Sequence, residues 1–482
     1  MRLTHLIQGQ DVEPANGRWL PVIEPATGET YAEVPDGDAN DVARAVAAAQ
    51  AAFPAWSQTP AAERARFLNA IAERIEASAD RLARAESIDQ GKPIALARGV
   101  EMPRSAANFR FFAGAILHER GEFFRTDTQA INYVLRSPRG VAACISPWNL
   151  PLYLFTWKIA PALATGNTVV AKPSEVTPVT AWMLGKIAQE AKLPPGVLNI
   201  VHGTGAGVGA PLVAHPDVPA ISFTGGTATG EAIARTAGPM FKRLSLELGG
   251  KNATIVCEDA DLDTHLPTIV RAAFSNQGEI CLCGSRILVH RSRMKELVDR
   301  LVAATRNLRV GDPLDPDTEL GAIVSRSHLE KIQSYVALAK IEGGKIACGG
   351  GAPAHLPARC REGFFHEPTV VVGLPPDCRT ATEEIFGPVV TVHGFDRHGE
   401  AISIANGTRY GLACSIFTRD LDRAHRMSAK IAAGVVWVNC WMLRDLRTPF
   451  GGWKHSGVGR EGGDEALKFF TEARNVCVAM GG

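Results

Sequence analysis

A cysteine and a glutamate offer the plainest chemistry in this chain. Cys281 lies in Ser275-Asn-Gln-Gly-Glu-Ile-Cys-Leu-Cys-Gly-Ser-Arg286, after a Gly-containing turn and ahead of the β-rich run Ile287-Leu-Val-His290. A thiol is a weak nucleophile until its proton is taken or its pKa is lowered. Glu247, in Leu246-Glu-Leu-Gly-Gly-Lys251, is the candidate for proton handling. It closes a short alternating run and precedes a Gly-Gly turn, which places it at a strand end facing a cleft. A cysteine and a glutamate without a neighbouring histidine make an odd set for a protease. They suit a reaction in which the thiol forms a covalent adduct and the carboxylate later activates water.

The elements that must position these residues read as two α/β units. Asp38 to Trp56 is expected to be a helix with Asp41 near its start, and Pro60 opens a second that runs from Ala61 to Asp89. A further helix covers Met102–His118. From Gly140 the chain alternates: apolar strands at Val141–Ile145, Asn167–Ala171, Val197–Val201 and Ala220–Phe223 are separated by helical stretches. Continuous apolar strands between helices predict a parallel, doubly wound sheet, with ligands outside the strands' C-terminal ends. Asn149, Lys172, Glu175, Gly225 and Glu247 all fall there. Two glycine-rich loops compete for a phosphate: Gly205-Ala-Gly-Val-Gly-Ala210 and Gly225-Gly-Thr-Ala-Thr-Gly230. Beyond Lys251 a second α/β unit begins. Its helix Leu262–Ala273 delivers Cys281, and Gly434–Asn439 is its last apolar strand. Between the units, Asp127–Pro138 reads as an extended pair with an edge that needs a cover, and the tail Asn475–Met480 as a strand able to pair with it.

The bulk numbers bound this reading. The 482 residues exceed one core and call for two or three domains. A net charge of +1 favours neither nucleic acid nor an anionic membrane. Ten scattered cysteines are no disulfide framework, and Cys281-Leu-Cys283 is too closely spaced for a zinc knuckle, so no metal is expected. With no signal-like segment at the start and no run approaching ~20 apolar residues, a reducing, cytoplasmic setting is expected.

Six strings, in order across nearly the whole chain, resemble the aldehyde dehydrogenase superfamily. They are Ser146-Pro-Trp-Asn149, Ala171-Lys-Pro-Ser-Glu175, Phe223-Thr-Gly-Gly-Thr227, Leu246-Glu-Leu-Gly-Gly-Lys251, Phe274-Ser-Asn-Gln-Gly-Glu-Ile-Cys281 and Glu383-Glu-Ile-Phe-Gly-Pro388. The resemblance implies oxidation of an aldehyde through a Cys281 thiohemiacetal and thioester, with Asn149 and the Cys281 N–H holding the oxyanion and Glu247 as the hydrolytic base. It selects the second glycine loop for the dinucleotide. It implies a cofactor site of Ile145, Pro147, Trp148, Lys172, Glu175, Gly225, Gly226, Thr227, Gly230, Leu248, Glu384 and Phe386. A carboxylate at Glu175 would repel a 2′-phosphate, so NAD is favoured. The implied architecture is an NAD-binding domain (1–120 and 140–250), a catalytic domain (251–450) and a small β arm (121–139 and 464–482) that joins a homodimer or homotetramer.

Arginines narrow the substrate. Arg110 sits among aromatics in Asn108-Phe-Arg-Phe-Phe112, and Arg444 follows the last strand, with Arg447 its competitor. Two guanidinium groups at one pocket mouth would select a carboxylate. These strings, with Trp148–Trp157 and Phe450, resemble the branch that oxidises 2-aminomuconate or 2-hydroxymuconate 6-semialdehyde. Arg110, Arg444, Trp157 and Phe450 are then the expected substrate residues. The alternative is a broader enzyme acting on a betaine-type or amino aldehyde.

Overall fold

The computed structural model describes residues 1–480. A first sheet has five parallel strands in the spatial order Leu198–Ile200, Thr168–Lys172, Val141–Ile145, Ala220–Thr224 and Arg243–Glu247. Numbered along the chain this is 3-2-1-4-5, so the order reverses between Val141–Ile145 and Ala220–Thr224. A crevice opens at such a switch point because the helices on either side diverge there. The short antiparallel strands His5–Ile7 and Gln10–Val12 extend one edge, and Gly457–Val458 the other.

The helices that cover this sheet follow the expected spacing, with two differences. Ala39–Gln58 is capped as Asp38 and Asp41 foretell, in a reciprocal capping box. The single helix expected over Ala61–Asp89 is instead two, Ala61–Ala77 and Ala79–Gln90. Ser78 leaves the helical region (ψ 9°), while the apolar stripe runs on through Leu82 and hides the break. The helix Pro151–Ala164 is buried over its whole length and therefore shows no amphipathic period.

The second sheet runs Lys345–Cys348, Thr369–Val372, Val389–Phe395, Arg286–His290, Ala253–Val256, Ala413–Phe417, Val435–Val438, all parallel but the first. Its five inner strands are buried on both faces, as parallel strands between helices must be, while the two edge strands are partly exposed. Apart from both cores, Phe123–Thr126, Ala130–Pro138 and Thr471–Ala479 form a three-stranded sheet. The tail strand is thus real and longer than expected. The residues just before it are not part of the arm: Gly463–Phe469 is a helix whose Ala466, Leu467 and Phe469 join the first core. Among the described residues no helix is long and apolar enough to cross a membrane.

Candidate active site

The loop that carries Cys281 is held in an unusual backbone. After the helix Leu262–Phe274, Asn276 (φ 52°) and Gln277 (φ 54°) both adopt the left-handed conformation, and Gly278 follows at φ 72°. Successive non-glycine residues there carry strain that persists only where the surroundings fix it. The Gln277 side chain donates to the Ala322 carbonyl (3.1 Å) and accepts from the Gly321 N–H (3.1 Å). Asn276 Nδ2 donates to the carbonyls of Asn149 (3.1 Å) and Glu279 (3.3 Å). A Cβ on Gly278 would stand 2.2 Å from the Gly387 carbonyl oxygen, so only glycine fits.

The loop meets the residue expected to hold the oxyanion. Asn149 is buried, lines the same cavity as Cys281, and has one amide N–H on the Glu279 carbonyl at 2.9 Å. Its second N–H remains for a ligand. Half-buried Cys281 has its carbonyl fixed by Asn252 Nδ2 at 2.7 Å. Burial pushes its thiol up to about 12, with Glu247 acting in the same direction, while Arg444 and the cysteine's own N–H pull it down. At neutral pH Cys281 is therefore a thiol.

Glu247 lies at the end of Arg243–Glu247, buried, with neither carboxylate oxygen hydrogen-bonded. Burial and the nearby Glu461 carboxylate raise its pKa well above the usual range, against Lys158, Arg460 and Arg444. Lys158 and Glu461 form a buried ion pair at 2.6 Å, joined by Ser222. This pair, absent from the sequence reading, acts on Glu247 in opposite directions, Glu461 raising and Lys158 lowering its pKa, after the larger effect of burial. Lys158 is on the all-buried helix, where no pattern singles it out.

A groove of about 640 Å³ runs along the switch point of the first sheet and continues into the Cys281 cavity. Ile145, Pro147, Trp148, Lys172, Glu175, Gly225 and Gly226 line it. Lys172 is buried and reaches Glu175 at 3.2 Å. Gly226 caps the helix Thr227–Ala237, which is longer at both ends than the Glu231–Thr236 that its sequence suggests and whose first turn lines the groove with free N–H groups. Thr227 is the first residue of that helix and is buried. Gly230 packs on Leu248: a Cβ there would lie 2.5 Å from Leu248 Cδ2. The first glycine loop is no bystander, because Gly205, Ala206, Gly209 and Ala210 line the same groove. These features fit a dinucleotide: a helix start for the pyrophosphate and a lysine–carboxylate pair for a ribose.

At the inner end the groove is walled by Leu248, Glu384 and Phe386. Glu384 is half-buried and accepts from the Gly250 N–H at 2.8 Å. Its neighbour Glu383 is the solvated one, paired with Arg379. His328 and Lys331, not singled out by sequence, complete this wall. The His328 ring packs edge-on against Trp148 at 5.1 Å between centroids, and burial lowers its pKa to about 4, so it is neutral.

The expected pair of arginines is only half correct. Arg444 faces the site: its guanidinium donates to Tyr153 Oη at 2.9 Å and stacks on Phe450 (3.9 Å) and Trp157 (5.5 Å). Arg447 turns outward to Asp445. Arg110 does not reach the pocket. It is exposed on the helix Met102–Ala115 and forms a two-pronged ion pair with Glu76. Phe109 and Phe112 are on the buried stripe of that helix and Arg110 is off it. Arg104 takes its place. Together with Tyr153, Met442 and Arg444 it lines an outer cavity of about 340 Å³. Its guanidinium lies over the Tyr153 ring at 5.8 Å, and its buried Nη2 has no acceptor. The signal was its register: Arg104 is one turn before Asn108, which binds the Tyr153 carbonyl.

Comparison with known proteins agrees with this geometry. The profile described as "Aldehyde dehydrogenase family" matches residues 12–476. A protein of Danio rerio named 2-aminomuconic semialdehyde dehydrogenase is 53% identical over 457 residues, covering 94% of each chain. One of Pseudomonas sp. (strain CF600), named 2-hydroxymuconic semialdehyde dehydrogenase, is 46% identical over 484 residues, covering 99% of each. The solved NAD+ complex of an aldehyde dehydrogenase from Bacillus cereus superposes with a TM-score of 0.97 at 37% identity, covering 100% of this chain and 97% of that one. With the family profile matched over residues 12–476 and relatives about half identical over nearly the whole chain, this chain belongs to the aldehyde dehydrogenase family.

Proposed function

We propose that this enzyme oxidises a semialdehyde bearing a carboxylate at its far end, of the 2-aminomuconate or 2-hydroxymuconate 6-semialdehyde class, with NAD as acceptor. The observation that carries the substrate class is the pair Arg104 and Arg444 on either side of Tyr153, one with an unpartnered buried N–H. Two guanidinium groups recognise a carboxylate by charge-assisted hydrogen bonds. A cationic betaine-type or amino aldehyde would meet the same charges with repulsion, so the broader alternative is disfavoured.

The chemistry follows from the residues. Cys281 releases its proton to solvent as the sulfur attacks the aldehyde carbon, giving a thiohemiacetal. Its oxyanion takes the free N–H of Asn149 and the N–H of Cys281, donors fixed before the reaction. NAD, when bound, accepts the hydride that leaves this carbon. Cys281 then carries a thioester. Glu247, once ionised, takes a proton from water as the water attacks, and the acid is released with the thiol restored. Glu175 beside Lys172 favours NAD over NADP. We further propose that the three-stranded arm joins copies of this chain into a homo-oligomer.

The test is the change in kcat/KM for Arg104→Ala on a carboxylate-bearing semialdehyde and on an uncharged aldehyde of similar length. A loss of about ten- to a hundredfold confined to the first substrate is expected, the worth of a hydrogen bond to a charged group. Equal activity on the first substrate would overturn the assignment.

A further inference from the structure

Behind Asn149 lies a buried charge cluster that the reaction as described does not use. Lys92 follows the helix Ala79–Gln90 and is fully buried. Its ammonium meets Glu86 Oε1 at 3.4 Å and Glu101 Oε1. Its third contact is the Asn149 backbone carbonyl, at 2.9 Å. Glu86 uses its other oxygen to accept the Leu152 N–H at 3.2 Å. The cluster thus grips the turn Asn149–Leu152 at both ends. On the opposite side Asn276 donates to the same Asn149 carbonyl.

Placing an ammonium against two carboxyl groups in a dry interior costs several kcal/mol per charge in general, and packed apolar residues often serve stability as well or better; burial, with Glu86 beside it, raises the Glu101 pKa well above the usual range, against Lys92. Fold stability alone is therefore a poor reason for such a cluster. What apolar residues could not do is fix a backbone carbonyl by a charged, directional bond. Asn149 has one amide N–H committed to Glu279, so a small turn of its backbone would swing the remaining N–H off the oxyanion.

We propose that Lys92, held between Glu86 and Glu101, is a positioning residue for the oxyanion donor: it locks the Asn149 main chain so that its side-chain N–H is aimed at the carbon under attack. This rests on Asn149 being that donor. Lys92 touches neither substrate nor cofactor; it acts through Asn149.

The obvious variant, Lys92→Met, leaves two buried carboxylates unpaired and risks misfolding. The charge-balanced Lys92→Met/Glu101→Gln keeps close to the native volume, with Glu101→Gln alone as its control. Both go into the native and the Asn149→Ala backgrounds of the full-length enzyme. In the native background, kcat is expected to fall about tenfold or more, as loss of near-attack geometry would cause. KM for NAD stays within twofold, and a primary deuterium isotope effect appears on kcat with aldehyde deuterated at the carbonyl carbon. In the Asn149→Ala background the same change has less than a twofold effect. An equal loss in both backgrounds, or a loss confined to KM for NAD, overturns the proposal. If Asn149→Ala itself keeps full kcat, the reading of Asn149 fails first, and the positioning role with it.

Discussion

At the scale of single residues, burial favours the uncharged forms of the two groups expected to do the chemistry. Both Cys281 and Glu247 are pushed above their usual pKa ranges, mainly by burial. Activity through an ionised thiol and an ionised carboxylate should therefore climb with pH through neutrality in a plot of kcat/KM against pH. Arg444 lowers the Cys281 value, so its removal raises that pKa. Arg444→Met is expected to move the rise to more alkaline pH, and an unmoved profile would mean that Arg444 does not act on the thiol. Glu175 makes a separate prediction. Glu175→Ser removes the charge that opposes a 2′-phosphate and should raise kcat/KM with NADP by about tenfold or more. An unchanged NAD/NADP ratio in coenzyme kinetics would refute that role. Cys281 and Glu247 stood out in the sequence beside a glycine turn and at a strand end, and Asn149 through the family resemblance; the structure lines one cavity with Asn149 and Cys281. Arg104 was not. A row of aromatics drew attention to Arg110, whereas register against Tyr153, a contact across two helices, decides which arginine faces the pocket.

At the scale of elements, the strand order places the groove. Four apolar strands announced a parallel sheet, and a groove opens at the C-terminal ends of its strands. The break at Ser78 and the all-buried helix Pro151–Ala164 were hidden because an apolar stripe continued through the first and no polar face interrupts the second. The length of the helix Thr227–Ala237 was hidden by its threonines and glycine, poor helix formers held by tertiary contact. That contact is testable. Gly230→Ala puts a methyl group against Leu248 and should push the helix start away from the cofactor. KM for NAD is expected to rise about tenfold with kcat nearly kept, since a small displacement of a binding element is costly. A wild-type KM would show that the close approach at Gly230 does not matter for binding.

At the scale of the whole molecule, two sheets share one site: Glu247 ends one strand of the first and Asn149 follows another, while Cys281 precedes a strand of the second. The arm stands apart from both. Successive residues of a strand point to opposite faces. Phe123 and Phe124 are 60% and 56% exposed, so neither face of the arm is covered within one chain. Exposed apolar surface with free edges calls for a partner. Phe124→Asp is expected to shift the enzyme to a smaller species in sedimentation velocity, and an unaltered sedimentation coefficient would exclude the arm from assembly. The account as a whole depends on Cys281 carrying the acyl group that Glu247 later releases. Its most direct test is intact-protein and peptide mass spectrometry of Glu247→Gln after mixing with NAD and a carboxylate-bearing semialdehyde. An adduct of the acyl mass on the Cys281 peptide, formed only when NAD is present, is the expected result; no adduct, or one on another residue, would contradict it.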